Sequence, residues 1–159
     1  MRFAIRIDRL IDGTGSSPTR GAVILVEDET VLDAGPVERC GIPADWPVVD
    51  APGCTALPGL IDCHVHIANS GDPYQTWDTS YLKDTTGLLA LKDYVCSTQD
   101  LEAGFTTVRD MGARSYYNIS VRDAIESGLV AGPRIVACGL PVCSTGGHFD
   151  RFELPPAPP

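Results

Sequence analysis

After Pro58-Gly59 the chain alternates strand-like and helical patterns: strand, helix, strand, helix, strand. That order restricts the fold to a parallel α/β sheet with helices laid across it. Residues 60–67 read as the first strand, and a loop rich in Gly, Asp, Pro and Ser follows over 68–84. Across 86–103, Leu88, Leu91, Val95 and Glu102 recur at helical intervals, with Thr85 or Thr86 as N-cap and Gly104 as the stop. Residues 105–109 form a β-branched second strand. Tyr117, Val121, Ala124 and Ile125 line one face of a second helix that Gly128 ends, and residues 133–138 make a third strand.

Residues 1–58 carry a different texture. Ala4-Ile5-Arg6-Ile7-Asp8 alternates, and Asp12-Gly13-Thr14-Gly15 turns the chain. Short apolar runs at 22–26, 31–34 and 48–50 are separated by Gly21, by Glu27-Asp28-Glu29, by Gly35-Pro36 and by a further turn at Pro52-Gly53. Short strands punctuated in this way predict a small β-sandwich or meander. The predicted division is therefore 1–58, 59–150 and a loop or tail over 151–159.

The balance of charge narrows the partners. Twelve Lys+Arg against 21 Asp+Glu leave a net charge of −9, which repels phosphate backbones and anionic lipid. Neither nucleic acid nor a membrane surface is an expected partner. No apolar run reaches the roughly 18 residues of a bilayer span, and Arg2, Arg6, Asp8 and Arg9 interrupt the start, so a cytoplasmic location is expected. The six cysteines are thinly spread with no CxxC pair, so they are expected as reduced, mostly buried thiols.

The chemistry concentrates at the strand ends. On a strand, residues two apart share a face, so His64 and His66 project together as adjacent ligands of one metal would need. Asp62 is expected on that same face, with Cys63 and Val65 turned toward the helices. The simpler alternative is that two histidines cap a strand. His148 follows the third strand in Ser144-Thr145-Gly146-Gly147-His148-Phe149-Asp150, where a Gly pair lets backbone approach a ligand closely. It reads equally as an exposed loop histidine. Arg109 and Asp110 reach the same rim, either to pair with each other or to touch substrate. Gly13-Thr14-Gly15 lacks the strand–helix setting of a phosphate loop, and Ser144 with Thr145 lacks a nucleophile elbow.

These motifs together resemble a known family. "LIDGTGSSPTRGAVILVEDETVLDAG" and "VVDAPGCTALPGLIDCHVHI" resemble the N-terminal part of metal-dependent amidohydrolases. "LEAGFTTVRDMGA", "GPRIVACG" and "STGGHFD" look more like the imidazolonepropionase-like and Xaa-Pro dipeptidase branch. The resemblance implies a β-sandwich piece followed by the first three βα units of an incomplete (β/α)8 TIM-type barrel. It implies one or two divalent metals, usually zinc, with His64 and His66 as metal ligands. His148, Gly147 and Arg109 become candidate substrate contacts, the substrate being a small amide or peptide. The family's later ligands and general base fall outside these residues, so no catalytic residue is assigned within them.

On that reading the chain is an N-terminal fragment. The alternatives are half of a split enzyme completed by a second chain or a homo-oligomer, and a non-catalytic scaffold that keeps the motifs as relics. Two imidazoles fall short of the three protein ligands of a catalytic zinc, and an open three-stranded piece of barrel leaves a strand edge unpaired and an apolar face uncovered, so these residues alone are predicted to be inactive and prone to associate. Purified chain should therefore show no hydrolysis of aminoacyl-proline or amide substrates that chelator or His64→Ala abolishes.

Overall fold

Ile5 and Ile7 on one face and Ala4 on the other give β1 (Arg2–Leu10) apolar contacts on both sides. It takes the inner position that such a strand requires. The computed structural model describes residues 1–71, 83–147 and 149–150, and the chain divides into two compact units, Met1–Pro58 and Gly59–Pro159. In the first, β2 (Thr19–Glu27) pairs antiparallel with β1, and β3 (Thr30–Pro36) pairs antiparallel with β2. β4 (Val48–Ala56) then runs parallel to β1 on its other side, giving the order β3-β2-β1-β4. Ala4, Val23 and Leu25 pack under Val37 and Cys40 of a single helical turn, α1 (Val37–Cys40), and under Ile42 and Trp46. Ile7, Leu10 and Ala22 form the second cluster.

The turn expected at Pro52-Gly53 is instead an irregularity inside β4. Ile7 stands opposite Ala51 and Arg9 opposite Thr55, so two steps of β1 face four of β4. Pro52 is tolerated because β4 is an edge strand. Gly53 takes φ +76°, and its N–H donates to Asp8 Oδ2 at 2.8 Å.

In the second unit β5 (Leu60–Val65), β6 (Phe105–Asp110) and β7 (Arg134–Ala137) form a parallel sheet in that order. α2 (Thr86–Glu102) connects β5 to β6, and α3 (Tyr117–Glu126) connects β6 to β7. Ile67, Val108, Val121 and Ile135 make the core, joined by Val65, Tyr94, Phe105 and Ile125. The Thr85 side chain accepts the Leu88 N–H at the start of α2, and Gly104 at φ +97° follows its end, so both expected boundary residues act as such.

The face that α2 buries differs from its apolar stripe. Leu89, Asp93 and Ser97 are buried, whereas Leu91 and Val95 are 62% and 53% exposed. Leu89 meets Tyr117 of α3, and Ser97, fully buried, turns its hydroxyl back to the Tyr94 carbonyl at 2.7 Å. The cysteines also depart from expectation. All six are free, but none is buried, and Cys54, Cys63, Cys138 and Cys143 are exposed. These four stand on strand faces or loops that no helix covers among the described residues.

Asp93 is the costly member of the buried face. Its Oδ2 has no hydrogen-bond partner. Burial first, and the neighbouring Asp110 second, push its carboxyl from 3.8 up to about 7. The folded chain therefore keeps this proton to higher pH than the unfolded chain does. The sign follows: stability is greatest below the unfolded value of 3.8 and falls as pH rises toward about 7. The full penalty is on the order of 4 kcal/mol at about 1.4 kcal/mol per pH unit. Asp93→Asn should flatten that decline and raise the urea midpoint on the alkaline side. Equal pH slopes for the two proteins would refute this account.

Candidate functional site

Because β5, β6 and β7 run parallel, their carboxyl ends share one edge, and the loops leaving them meet there. His64 lies near the end of β5 and His66 one residue beyond it. Their ring centroids are 5.5 Å apart at an interplanar angle of 75°. His66 Nδ1 lies 2.9 Å from the carbonyl oxygen of Gly112, in the loop after β6. A carbonyl only accepts, so Nδ1 carries the hydrogen, and in the neutral ring the lone pair is on Nε2.

Asp62 does not share their face. It stands opposite Val108, and Val65 stands opposite Asp110, so three steps of β5 span two of β6. This irregularity breaks the strict alternation that places Asp62 with the histidines and Val65 against it. Asp62 and Val65 instead lie on the helix-covered side with Val108, while Cys63 and His64 are exposed. The Asp62 carboxylate turns along its own strand and accepts the His64 N–H at 2.9 Å.

Arg109 and Asp110 do not pair with each other. Arg109 is exposed, and its Nε donates to the Cys63 carbonyl at 2.8 Å, bridging β6 to β5. Asp110 is fully buried and accepts from Ile67 N, Gly112 N and Asn118 Nδ2 at 2.9, 2.8 and 2.7 Å. It is out of reach of the rim. Asn118, part of an Asn-x-Ser triplet, is likewise fully buried, which bars it as a glycan acceptor.

In the loop after β7, Gly147 donates to the Ser144 carbonyl and accepts from Asp150 N, both at 2.8 Å. Its backbone is therefore already engaged. What it offers is the missing side chain, since a Cβ there would lie 2.9 Å from Ser144 O. His148 lies outside the described residues. Phe149 places its ring centroid 5.2 Å from that of His66, tilted by 42°. Sequence reasoning passed over both Phe149 and Gly112. The one available signal for each was its position, next to the Gly-Gly-His run and directly after a strand.

A cavity of about 350 Å³ opens beside His66, lined by Val65, Asn69, Ser70, Gly71 and, from α2, Cys96, Gln99 and Asp100. Burial, and then the charge of Asp62, push the Asp100 carboxyl upward. Burial, with Asp93 and Asp100 beyond it, raises the Cys96 thiol.

The histidines suit a cation. Imidazole nitrogens sit about 2.0–2.1 Å from zinc, which puts the centroids of two such rings roughly 5 Å apart on a tetrahedral ion. The 5.5 Å separation fits that requirement, as does the His66 Nε2, which has no hydrogen-bond partner among the described residues. Among the described residues no group of three or more His, Cys, Asp or Glu could hold a metal, so the donor set here is these two rings.

Parallel strands alternating with helices, with side chains gathered at their carboxyl ends, define an α/β domain of the kind that binds ligands at that edge. Residues 55–153 match the amidohydrolase family, and the chain belongs to that family. It is 28% identical over 156 residues to the ochratoxinase of Aspergillus niger, covering 92% of this chain and 30% of that protein. It is 43% identical over 63 residues to the imidazolonepropionase of Salinispora arenicola (strain CNS-205), covering 38% of this chain and 16% of that one. Among solved structures, a Xaa-Pro dipeptidase with methionine bound in its active site is similar at TM-score 0.76 and 30% identity. That match covers 94% of this chain and 36% of the dipeptidase. The chain thus spans about a third of the dipeptidase's length and less of the two curated relatives'.

Gly112 leaves no room for a side chain. It takes φ +133°, and a Cβ would lie 2.8 Å from the Pro141 Cα and N. Backbone on one side and an unfavourable φ on the other leave nothing to yield. Gly112→Ala should cost about 2–4 kcal/mol, read as a lower urea midpoint, and a loss below about 0.5 kcal/mol would contradict the contact.

Proposed function

We propose that these residues form the N-terminal part of a metal-dependent amidohydrolase that hydrolyses C–N bonds, whether amide, lactam or Xaa-Pro dipeptide. On this reading the four-stranded sheet of residues 1–58 is one layer of a β-sandwich. Residues 59–150 are the opening βα units of a (β/α)8 barrel, 151–159 a loop or tail, and the protein works in the cytoplasm. The observation that carries the reading is the pair of imidazoles at the carboxyl edge of a parallel sheet, one with Nδ1 committed to a backbone carbonyl and Nε2 left to bind.

His64 and His66 would hold a divalent ion, zinc by family habit. When bound, such an ion polarises a carbonyl and lowers the pKa of water toward about 7. The chain's own residues bind and orient. Arg109, anchored through Nε to Cys63 O, keeps its other N–H donors for a substrate carboxylate. The Gly146-Gly147 turn admits a substrate close to the backbone, and His148, the next residue in sequence, is a further candidate substrate contact. Phe149 against His66 narrows the mouth and excludes water from that side of the ring. A prolidase related in fold binds N-methylphosphonate-L-proline, which supports a small peptide-like substrate. β5 and β7 each pair on one side only among the described residues, so further strands, from the same or a second polypeptide, complete the site.

Calorimetric titration of metal-free protein with zinc tests the reading. His64→Ala and His66→Ala should each weaken binding by about 100-fold or more, and chelator should remove the ion. Undiminished stoichiometric binding by the double variant would overturn it.

A further inference from the structure

Gly112 is held on both sides, through the peptide before it and the peptide after it. Its N–H donates to Asp110 Oδ1 at 2.8 Å, its carbonyl takes the His66 ring at 2.9 Å, and Pro141 bars any side chain. The other oxygen of Asp110 accepts from the N–H of Ile67, the residue that follows His66, at 2.9 Å. One buried carboxylate thus holds both the backbone next to His66 and the residue whose carbonyl accepts the hydrogen bond from its ring.

Asn118 closes the arrangement. Its Nδ2 donates to Asp110 Oδ1 at 2.7 Å and to the Gly139 carbonyl at 3.0 Å, and its Oδ1 accepts from Ile119 N at 2.9 Å. Gly139 O also takes Ala113 N at 3.1 Å. The loop after β6 is therefore stapled to the end of β7 on the far side of Gly112. Ser115 and Tyr116, at φ 54° and 60°, are consecutive left-handed residues without glycine's freedom. They lead directly into α3, whose first turn carries Asn118 into this network.

We infer that Asp110 and Asn118 are positioning residues for the His66 imidazole, fixing the Gly112 carbonyl that selects its Nδ1–H tautomer and leaves Nε2 to bind beside His64. Neither residue touches the ring; Asp110 acts through the Gly112 N–H, and Asn118 through Asp110 and the Gly139 carbonyl that it shares with Ala113 N. The inference rests on the reading of His66 as a metal ligand for its purpose, but its geometry stands without the metal. A network that merely stabilised the fold would have no need to meet the ring, and loss of it would leave the tautomer unchanged. A tautomer held by one carbonyl is lost when that carbonyl moves.

The test is side-chain nitrogen NMR of the metal-free protein labelled at histidine, above about pH 8 where imidazoles are neutral. The sequence has three histidines, so single His→Gln variants assign them. In the parent protein, His66 should show hydrogen on Nδ1 alone. In Asp110→Asn and in Asn118→Ala its nitrogens should move toward the averaged shifts of exchanging tautomers, while His64 keeps its own. Zinc affinity should fall about 10–100-fold in both variants. If Asp110→Asn does not fold, Asn118→Ala decides. His66 carrying hydrogen on Nε2 in the parent, or keeping the Nδ1–H form in a folded variant, overturns the inference. A tautomer that shifts in the variants, when the parent itself never binds zinc, would uphold the positioning and defeat the metal reading instead.

Discussion

Three N–H groups from three stretches of chain converge on the carboxylate of Asp110: the segment after β5, the loop after β6 and the first turn of α3. Taking a carboxylate out of water costs several kcal/mol. Hydrogen bonds to a charged group return about 1.5–3 kcal/mol each, so three of them offset the loss and two would leave it in doubt. The carboxylate is thus best compensated when all three segments are in place, which ties it to the whole carboxyl edge of the sheet. Through the Gly139 carbonyl, which Asn118 and Ala113 share, β7 joins the same arrangement.

That arrangement needs parallel strands. Antiparallel neighbours would send alternate loops to opposite edges, and the residues after β5, β6 and β7 would never meet. The connections that parallel pairing demands are the helices α2 and α3, and the first of them is what separates His66 from Gly112 by 46 positions. A contact at that separation is specified by topology, so its geometry is as exact as the register of the sheet. The register is irregular just there, between Asp62 and Val65, and the irregularity decides which side chains near the histidines face the helices.

Much of this was legible beforehand. Punctuation by Thr85 and Gly104 bounded α2, Gly128 ended α3, and the β-branched run at 105–109 fell on β6, because caps and propensities are local properties of the chain. The approach of His64 to His66 followed from spacing alone. What escaped was whatever depends on a partner far away in sequence. The face of Asp62 turned on a strand irregularity, and Pro52 was absorbed by an edge position. Asp110 read as a rim residue because its three donors come from positions 67, 112 and 118. No window around it contains the first of these. Phe149 was overlooked because its ring contact lies 83 positions back, at His66.

The rotation of α2 runs against a simple account of apolar area. Burying Leu91 and Val95 would each be worth about 1.5–3 kcal/mol, yet the helix buries Asp93 and Ser97 instead. Its ends explain this. Thr85 caps one, and at the other the Gly104 carbonyl takes the Leu60 N–H at 2.9 Å, tying the helix to the start of β5. Leu89 against Tyr117 sets the face between them. A helix fastened at both ends cannot turn its stripe inward, so Asp93 comes to rest near Asp110. Two buried carboxylates side by side do not both stay charged cheaply. Asp93, whose Oδ2 has no partner, is the one that keeps its proton toward neutral pH. Its neutrality keeps a second negative charge away from the three N–H groups that gather on Asp110 behind His66.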